Sequence, residues 1–202
     1  MRPPARVLIA GALVSALAGC LSPGSQESQR YYVLDASAAK AGGARATRAS
    51  TLLVAPTTAS GFYETQDIVY SRAPGVRAYY QFHSWTERPS RKVTDLLVTR
   101  LGNEGSFKAV VAAMSGVQGN LVLQTHLTEF YHDAATSPGN VKVILTAELT
   151  DPVRRVLLAR RTFEQSAPAA TYDAPGAVQA FNLAVTAMLG ELSAWIDGVV
   201  PR

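Results

Sequence analysis

Cysteine is nearly absent from this sequence: one residue in 202, so no disulfide can form within the chain. No apolar run reaches the roughly 20 residues that a membrane-spanning helix needs. The sequence contains neither G-x-S-x-G nor G-x-x-x-x-G-K-[ST], the patterns of a nucleophile elbow and a phosphate-binding loop. We therefore predict a chain that does not hydrolyse ATP, is not an enzyme and binds no cofactor.

The first twenty residues have the three parts of an export signal. Arg2 and Arg6 are positively charged, the next dozen residues (7–18) are almost all apolar, and Leu17-Ala18-Gly19-Cys20 follows. An apolar run of this length is too short to span a bilayer but suits a signal peptide. The last four residues resemble the bacterial lipobox, in which the cysteine thiol is acylated.

The lipobox resemblance implies a lipid anchor on Cys20 and a division of the chain. Residues 1–19 would be a lipoprotein signal peptide, 20–29 a lipidated polar tether, and 30–199 one folded domain. The resemblance implies diacylglycerol on sulfur, cleavage before Cys20 and a further acyl chain, such as palmitate, on the new amine. Several acyl chains give stable anchoring. Leu21 stands where an aspartate would indicate inner-membrane retention, which favours the outer membrane, on its periplasmic face.

Charge is low once the export signal is removed. Without Arg2 and Arg6, 17 of the 19 basic residues remain against 15 acidic ones. This small, scattered excess is unlike the basic surface of a nucleic-acid-binding protein. We predict no nucleic-acid partner.

Short segments of alternating or continuous apolar character predict β-strands in most of the remaining chain. Ala73-Pro74-Gly75 predicts a turn between two of them, and the Ala- and Arg-rich segment 36–50 predicts a flexible loop. The predicted strands are 30–34, 51–55, 67–72, 76–85, 107–111, 121–131, 141–149 and 155–165.

Two segments have helical periodicity. The first follows Pro89, with Thr86 or Ser90 as its cap, and ends at Gly102. The second runs over 174–197, with Asp173 as its cap and Pro175 in its first turn. The order of elements predicts a single α/β domain in which a mixed sheet is flanked by two main helices. The apolar residues on the two helices are Val93, Leu96, Leu97 and Leu101, then Val178, Phe181, Val185, Met188, Leu189, Leu192 and Ile196.

An ordered series of residues resembles a known family. Tyr31-Tyr32-Val33-Leu34 follows the lipobox; then come Asp67-Ile68-Val69-Tyr70, Ala78-Tyr79-Tyr80, His83-Ser84-Trp85, Pro89 and Val93-Thr94-Asp95-Leu96-Leu97. The series is similar to the ABC-type transport auxiliary lipoprotein family, which includes the Pqi-type intermembrane transport lipoprotein. The likeness extends over about 30–197 and is strongest over 67–101.

The resemblance implies a compact sheet flanked by helices and a non-catalytic role in the periplasm. Its partners would be envelope components of an ABC transporter with a mammalian-cell-entry-type (MCE) lipid-binding subunit, in a system that moves lipid between the two membranes. Self-association remains open. The irregular composition of 36–50 is unlike the family pattern.

The strand 76–85 carries the candidate partner interface. Alternation places Arg77, Tyr79, Gln81, His83 and Trp85 on one face. Arginine, tyrosine and tryptophan are enriched in protein interfaces. In an α/β fold, helices can cover both faces of a sheet, so this face is either an interface or part of the core.

The remaining candidates for chemistry are weak. His126 and His132 would share a face of one strand about 20 Å apart, too far to bind one metal. Glu129 and Asp133 could form an acid–base pair, although an exposed strand edge explains them better. We predict no metal site and no catalytic residue.

Two other functions remain open from the sequence. A small tethered domain could regulate an enzyme that acts on peptidoglycan or a surface polymer. It could also be a hydrolase, although the missing catalytic motifs argue against this. Neighbouring genes would separate the first alternative from a role in transport.

Overall fold

The structure is a computed structural model, and it describes residues 28–36 and 47–200. These residues form nine strands, two long helices and two single 3-10 turns, Gly61–Tyr63 and Ala113–Ser115. The helices are α1 Pro89–Asn103 and α2 Ala174–Val199. The strands are β1 Arg30–Tyr32, β2 Arg48–Val54, β3 Thr58–Ala59, β4 Asp67–Ser71, β5 Ala78–Trp85, β6 Phe107–Ala112, β7 Leu121–Asp133, β8 Asn140–Asp151 and β9 Val156–Pro168.

Strand β7 is the centre of the sheet. Three strands, β2, β3 and β4, pair parallel to successive parts of β7, while β8 pairs antiparallel along nearly its whole length. Beyond these, β6 extends β2, β5 extends β4, β1 extends β5, and β9 extends β8. The structure confirms the predicted single α/β domain with a mixed sheet and two main helices.

A bulge in β7 changes which residues face the core. The pairing with β8 shifts between Leu127 and Glu129. Leu127 is buried before the shift, and Phe130 and His132 are buried after it. An extra residue in one strand exchanges its two faces. The prediction that His126 and His132 share a face is therefore wrong, because strict alternation does not anticipate a bulge.

Helix α2 is the main apolar element on the inner face of the sheet. Asp173 caps it by accepting a hydrogen bond from the backbone N–H of Gly176 at 2.9 Å. All seven residues of its predicted apolar stripe are buried. The predicted cap is therefore confirmed, and the stripe gives α2 its orientation on the sheet.

The cap predicted for α1 is wrong. Arg88 occupies the N-cap position without a side-chain cap, and Pro89 begins the helix. Ser90 lies inside the first turn and donates a hydrogen bond to Glu64 at 3.2 Å. Proline lacks an N–H and has a φ suited to a helix, so it can begin a helix without a capping side chain.

Strand β2 starts earlier than the sequence predicts. Arg48, which lies in the predicted loop 36–50, is a buried strand residue. Its guanidinium donates to Asp197 Oδ1 at 2.9 Å and to the carbonyl of Val200 at 3.2 Å. These partners near the end of α2 compensate the positive charge of the buried guanidinium. The composition of 36–50 predicts instead that this arginine is exposed to solvent. The other residues of that loop, 37–46, lie outside the described residues.

The N-terminal end of the domain is attached in two steps. Strand β1 is only three residues long and pairs with β5. Leu34 and Ala36 then enter the core, and the Asp35 N–H donates to Asn182 Oδ1 on α2 at 3.0 Å. The predicted signal peptide, Cys20 and most of the tether precede residue 28 and lie outside the described residues.

Candidate functional site

The hairpin of β4 and β5 carries the candidate interface, and its geometry departs from simple alternation. The turn Ala73-Pro74-Gly75 is present, and Gly75 has φ +73°. Val69 pairs with Tyr79 but Asp67 pairs with Ser84, so β5 contains a bulge of three extra residues. Phe82 in this bulge has φ +58° and is 43% exposed. A positive φ in an aromatic residue is rare and is often associated with function.

Trp85 belongs to the core and not to the surface. It is 1% exposed, and its ring centroid lies 5.5 Å from that of Phe181 and 6.0 Å from that of Phe130. Assigning Trp85 to a partner interface was therefore wrong. The bulge explains the error, because it changes the face on which the end of β5 lies.

Arg77 is half-buried and held by aromatic rings. Its guanidinium lies 3.7 Å from the centroid of Tyr131, and Nε donates to the hydroxyl of Tyr63 at 2.9 Å. Glu129 is 3.9 Å away. A cation between a ring face and a hydroxyl is stabilised in one geometry. Glu129 also lies 3.6 Å from Lys142, so it forms part of a row of ion pairs instead of an acid–base pair with Asp133.

Tyr79 is the exposed aromatic residue of the predicted set. It is 40% exposed and stacks on Phe62, with centroids 4.7 Å apart and an angle of 7° between the rings. Phe62 is itself 40% exposed. Stacking already restricts both rings. Binding of a partner over them would therefore cost less side-chain conformational entropy than binding over two mobile rings.

Tyr79 and His83 meet at an open cleft of about 340 Å³ beside the start of α2, which we call the tyrosine cleft. Within it, the guanidinium of Arg72 lies 5.1 Å from the ring of Tyr70 and 5.9 Å from that of Tyr172. A guanidinium between two rings presents a positive charge in a fixed position. The lining residues are Tyr70, Arg72, Tyr79, Tyr80, Gln81, His83, Tyr172, Asp173 and Ala174.

Hydrogen bonds beneath the cleft hold its floor. The Tyr80 hydroxyl lies 2.7 Å from His132 Nδ1, and His132 Nε2 lies 2.9 Å from the carbonyl of Pro138. Because that carbonyl can only accept, Nε2 carries the proton and Nδ1 accepts from Tyr80. Burial raises the pKa of Tyr80 to about 12 and lowers the pKa of His132. Both groups are therefore neutral at pH 7.

The outer rim of the cleft is polar. His83 Nδ1 lies 3.0 Å from the hydroxyl of Tyr32 on β1. Asp173, the cap of α2, accepts hydrogen bonds from the Thr171 hydroxyl and the Gly176 N–H, and these lower its pKa. The cleft therefore contains a fixed cation, a carboxylate and several phenols, a combination suited to recognising a polar protein surface.

Alternation along the sequence predicted Tyr79 and His83 as site residues, whereas Arg72, Tyr70 and Tyr172 were not predicted. Tyr70 and Arg72 both precede the hairpin turn, and Tyr172 precedes the predicted cap of α2 by one residue. The recurrence of tyrosine beside predicted turns was a usable signal. Nothing in the linear order shows that α2 starts beside β5.

Within residues 28–36 and 47–200, no group of three or more His, Cys, Asp or Glu side chains is placed to hold a metal ion. Neither described helix has the length and apolar character required to cross a bilayer.

Comparison with known families identifies the chain. A family model, the ABC-type transport auxiliary lipoprotein component, matches residues 32–193. The chain belongs to this family. The match confirms the resemblance carried by the ordered series from Tyr31 to Leu97, and it assigns the auxiliary lipoprotein an accessory role in ABC-type transport, in the cell envelope. No curated protein sequence matches it significantly.

Solved structures share the fold of this auxiliary lipoprotein. A DUF330 protein from Xanthomonas campestris, XCC0632, is 22% identical with a TM-score of 0.71, and the match covers 83% of this chain and 94% of that one. An uncharacterised protein is 15% identical with a TM-score of 0.67, covering 84% and 99%. A hypothetical protein from Chlamydia trachomatis is 8% identical with a TM-score of 0.52, covering 75% and 98%. At these identities the likeness concerns the fold.

Proposed function

We propose that this auxiliary lipoprotein is a non-catalytic subunit of an MCE-associated intermembrane lipid transport system. It is anchored to the periplasmic face of the outer membrane through Cys20. The observation that carries the proposal is the family match over 32–193, which gives an accessory role in ABC-type transport. The lipobox and Leu21 support the anchor and its membrane.

The partner in this proposal is the periplasmic lipid-binding component of the transporter, and it docks at the tyrosine cleft. Tyr79 and Phe62 supply a rigid apolar surface at the rim. Arg72 supplies a positive charge that is already ordered by Tyr70 and Tyr172. Aromatic and arginine side chains held in advance of binding are the usual energetic centre of an interface. Of the predicted set, His83 lines the same cleft and bonds to Tyr32 on β1, whereas Arg77 lies outside the lining, beside Tyr63 and Tyr131.

A non-catalytic role agrees with how the polar groups of the cleft are used. His132 and Tyr80 bond to each other beneath the surface and are neutral at pH 7, and Asp173 is engaged as a helix cap. His83 is oriented by Tyr32. Each group has a structural contact that explains its position, so the cleft is better suited to recognition than to proton transfer.

Affinity purification from detergent-solubilised envelopes tests the proposal. We expect the transporter's lipid-binding component to copurify with the wild-type lipoprotein. Tyr79→Ala combined with Arg72→Ala should reduce that recovery at least tenfold, because the stacked aromatic contact and the ordered positive charge are both lost. Each substitution is at the surface, so the amount of folded protein should stay the same.

Leu183→Ala is the matched control, since Leu183 is a 62% exposed residue on α2 and does not line the cleft. It should leave recovery unchanged. If no transporter component copurifies with the wild type, the proposed function is wrong. If the component copurifies equally with all three proteins, the docking surface is wrong.

A further inference from the structure

Strand β9 forms a long open edge of the sheet. Twelve of its 13 residues pair with β8, Leu158 lies in a bulge, and the other side of the strand faces away from the described strands. Natural proteins protect such edges with charged side chains, especially lysine, with bulges, with central proline or with very short strands. Strand β9 has no lysine, its proline is the last residue, its bulge lies near one end, and Leu157 and Leu158 are 56% and 42% exposed. This edge is available for pairing with another strand.

The midpoint of β9 is Thr162. If a second copy of β9 paired antiparallel about Thr162, the regular segment 159–165 would stand opposite the same segment of the second copy, and the bulge at Leu158 would lie outside it. Thr162 would then face itself across the symmetry axis. Its hydroxyl already lies 3.0 Å from that of Thr146 on β8. Four threonines would form a continuous row across the two copies, a favourable cross-strand arrangement.

The charges of β9 match in this register. Arg160 and Glu164 lie two residues on either side of Thr162. In the dimer, Arg160 of each copy would therefore face Glu164 of the other copy. Within one copy, Arg160 is 3.3 Å from Glu148, and Glu164 is 3.4 Å from Lys142. Pairing would join these into one row of alternating sign. Opposite charges placed directly across two strands stabilise the pair.

Neighbouring registers lack this complementarity. Centring on Arg161 would place that arginine opposite itself, and centring on Phe163 would place Glu164 opposite Thr162. The side chains of Arg160 and Glu164 are 63% and 62% exposed, so they are accessible at the edge. The charge pattern therefore selects the register centred on Thr162.

We propose that two copies of this chain associate through antiparallel pairing of β9 about Thr162, which joins two sheets into one. The dimer is an inference beyond the transport function and does not depend on the tyrosine cleft. Symmetric two-fold contacts of this kind close on themselves, so the assembly stops at two copies.

Disulfide cross-linking in the intact envelope tests the register. Residues directly opposite in an antiparallel pair have Cα atoms about 4.5–5.5 Å apart, within the range of a disulfide. Thr162→Cys should therefore give a dimer on a non-reducing gel. Thr99→Cys, at an exposed position on α1, should give no more dimer than the wild type, whose only cysteine is Cys20. Absence of a Thr162→Cys dimer would overturn the proposal.

Charge reversal gives a second test on detergent-solubilised protein. Arg160→Glu alone, or Glu164→Arg alone, places like charges opposite each other at two symmetric positions, and we expect the dimer dissociation constant to rise at least about tenfold. An equal mixture of the two variants should form a mixed dimer, because acidic side chains then face basic ones. Formation of the mixed dimer would show that each variant is folded.

Arg91→Glu is the matched control, since Arg91 is an exposed charge on α1 and does not belong to β9. It should leave the dimer unchanged. Sedimentation equilibrium measures the association. A monomeric wild type, a larger assembly, or a dimer insensitive to both reversals would each show that β9 is not the interface.

Discussion

His132 is a fully buried imidazole whose two nitrogens both have partners. Its Nε2–H donates to the carbonyl of Pro138, and its Nδ1 accepts from Tyr80. Protonation would place a charge in the core and reverse the bond with Tyr80. Burial therefore lowers the pKa of His132 below its ordinary value of 6.5.

This burial predicts a loss of stability in mild acid. The unfolded chain takes up a proton on His132 near pH 6.5, whereas the folded chain does so at lower pH. The contribution to stability is therefore complete above pH 6.5 and is lost as the pH falls through the folded pKa. His132→Gln should lower the free energy of unfolding at pH 7 by roughly 1–3 kcal/mol. It should also make that free energy fall less between pH 7 and pH 5.

Urea denaturation at the two pH values measures both effects. His126→Gln is the matched control, because His126 is only half-buried and lies on the other face of β7. A slope with pH that is unchanged by His132→Gln would contradict the assignment of the neutral imidazole.

At the scale of elements, one arginine joins the first residue of β2 to the end of α2. Arg48 bonds to Asp197 and to the carbonyls of Asp197, Val200 and Ser106, and it lies 5.3 Å from the ring of Phe107. These contacts connect segments almost 150 residues apart in sequence. Two elements that pack on different strands are thereby fixed relative to each other.

Removing Arg48 should destabilise the domain strongly. Arg48→Met keeps the apolar stem but removes one donor from Asp197 and from several carbonyls, so we expect a loss of roughly 3 kcal/mol in the free energy of unfolding. Arg154→Met removes an arginine that is 79% exposed and should change stability by less than about 0.5 kcal/mol. Denaturant unfolding compares the two. Equal effects would show that the Arg48 contacts contribute little.

Elements with regular periodicity were predictable from the sequence. The apolar stripe and cap of α2 follow from residue spacing and local chemistry, as does the turn at Gly75. Bulges were not predictable, because neither the three extra residues of β5 nor the one extra residue of β7 has a local signature in this sequence. They determine the burial of Trp85 and the opposite faces of His126 and His132. Arg48 was missed because its partners lie at the far end of the chain.

The candidate site was predictable only in part, for the same reason. Alternation along β5 identified Tyr79 and His83, which do line the cleft. Arg72 and Tyr172 come from a turn and from the segment before α2, and only the packing of α2 against the hairpin brings them together. A site assembled from several elements requires the tertiary structure.

At the scale of the whole molecule, the proposed anchor determines where the domain acts. Cys20→Ser removes the thiol that carries lipid, so we expect the protein to move from the membrane fraction to the soluble periplasmic fraction. Leu21→Asp keeps the thiol and should move the protein to inner-membrane density on a sucrose gradient. Membrane association of Cys20→Ser would show that another element binds the bilayer.

The two-step attachment of the N-terminal segment has a mechanical consequence. A pull on the proposed lipid anchor would load β1 first, where three residues of backbone pairing and one Gln29–Ser84 hydrogen bond of 2.8 Å resist it. Leu34 and Ala36, buried against the core, would bear the load next. Strand β1 can thus detach from β5 before Leu34 and Ala36 leave the core. Its detachment lengthens the N-terminal segment by about 10 Å.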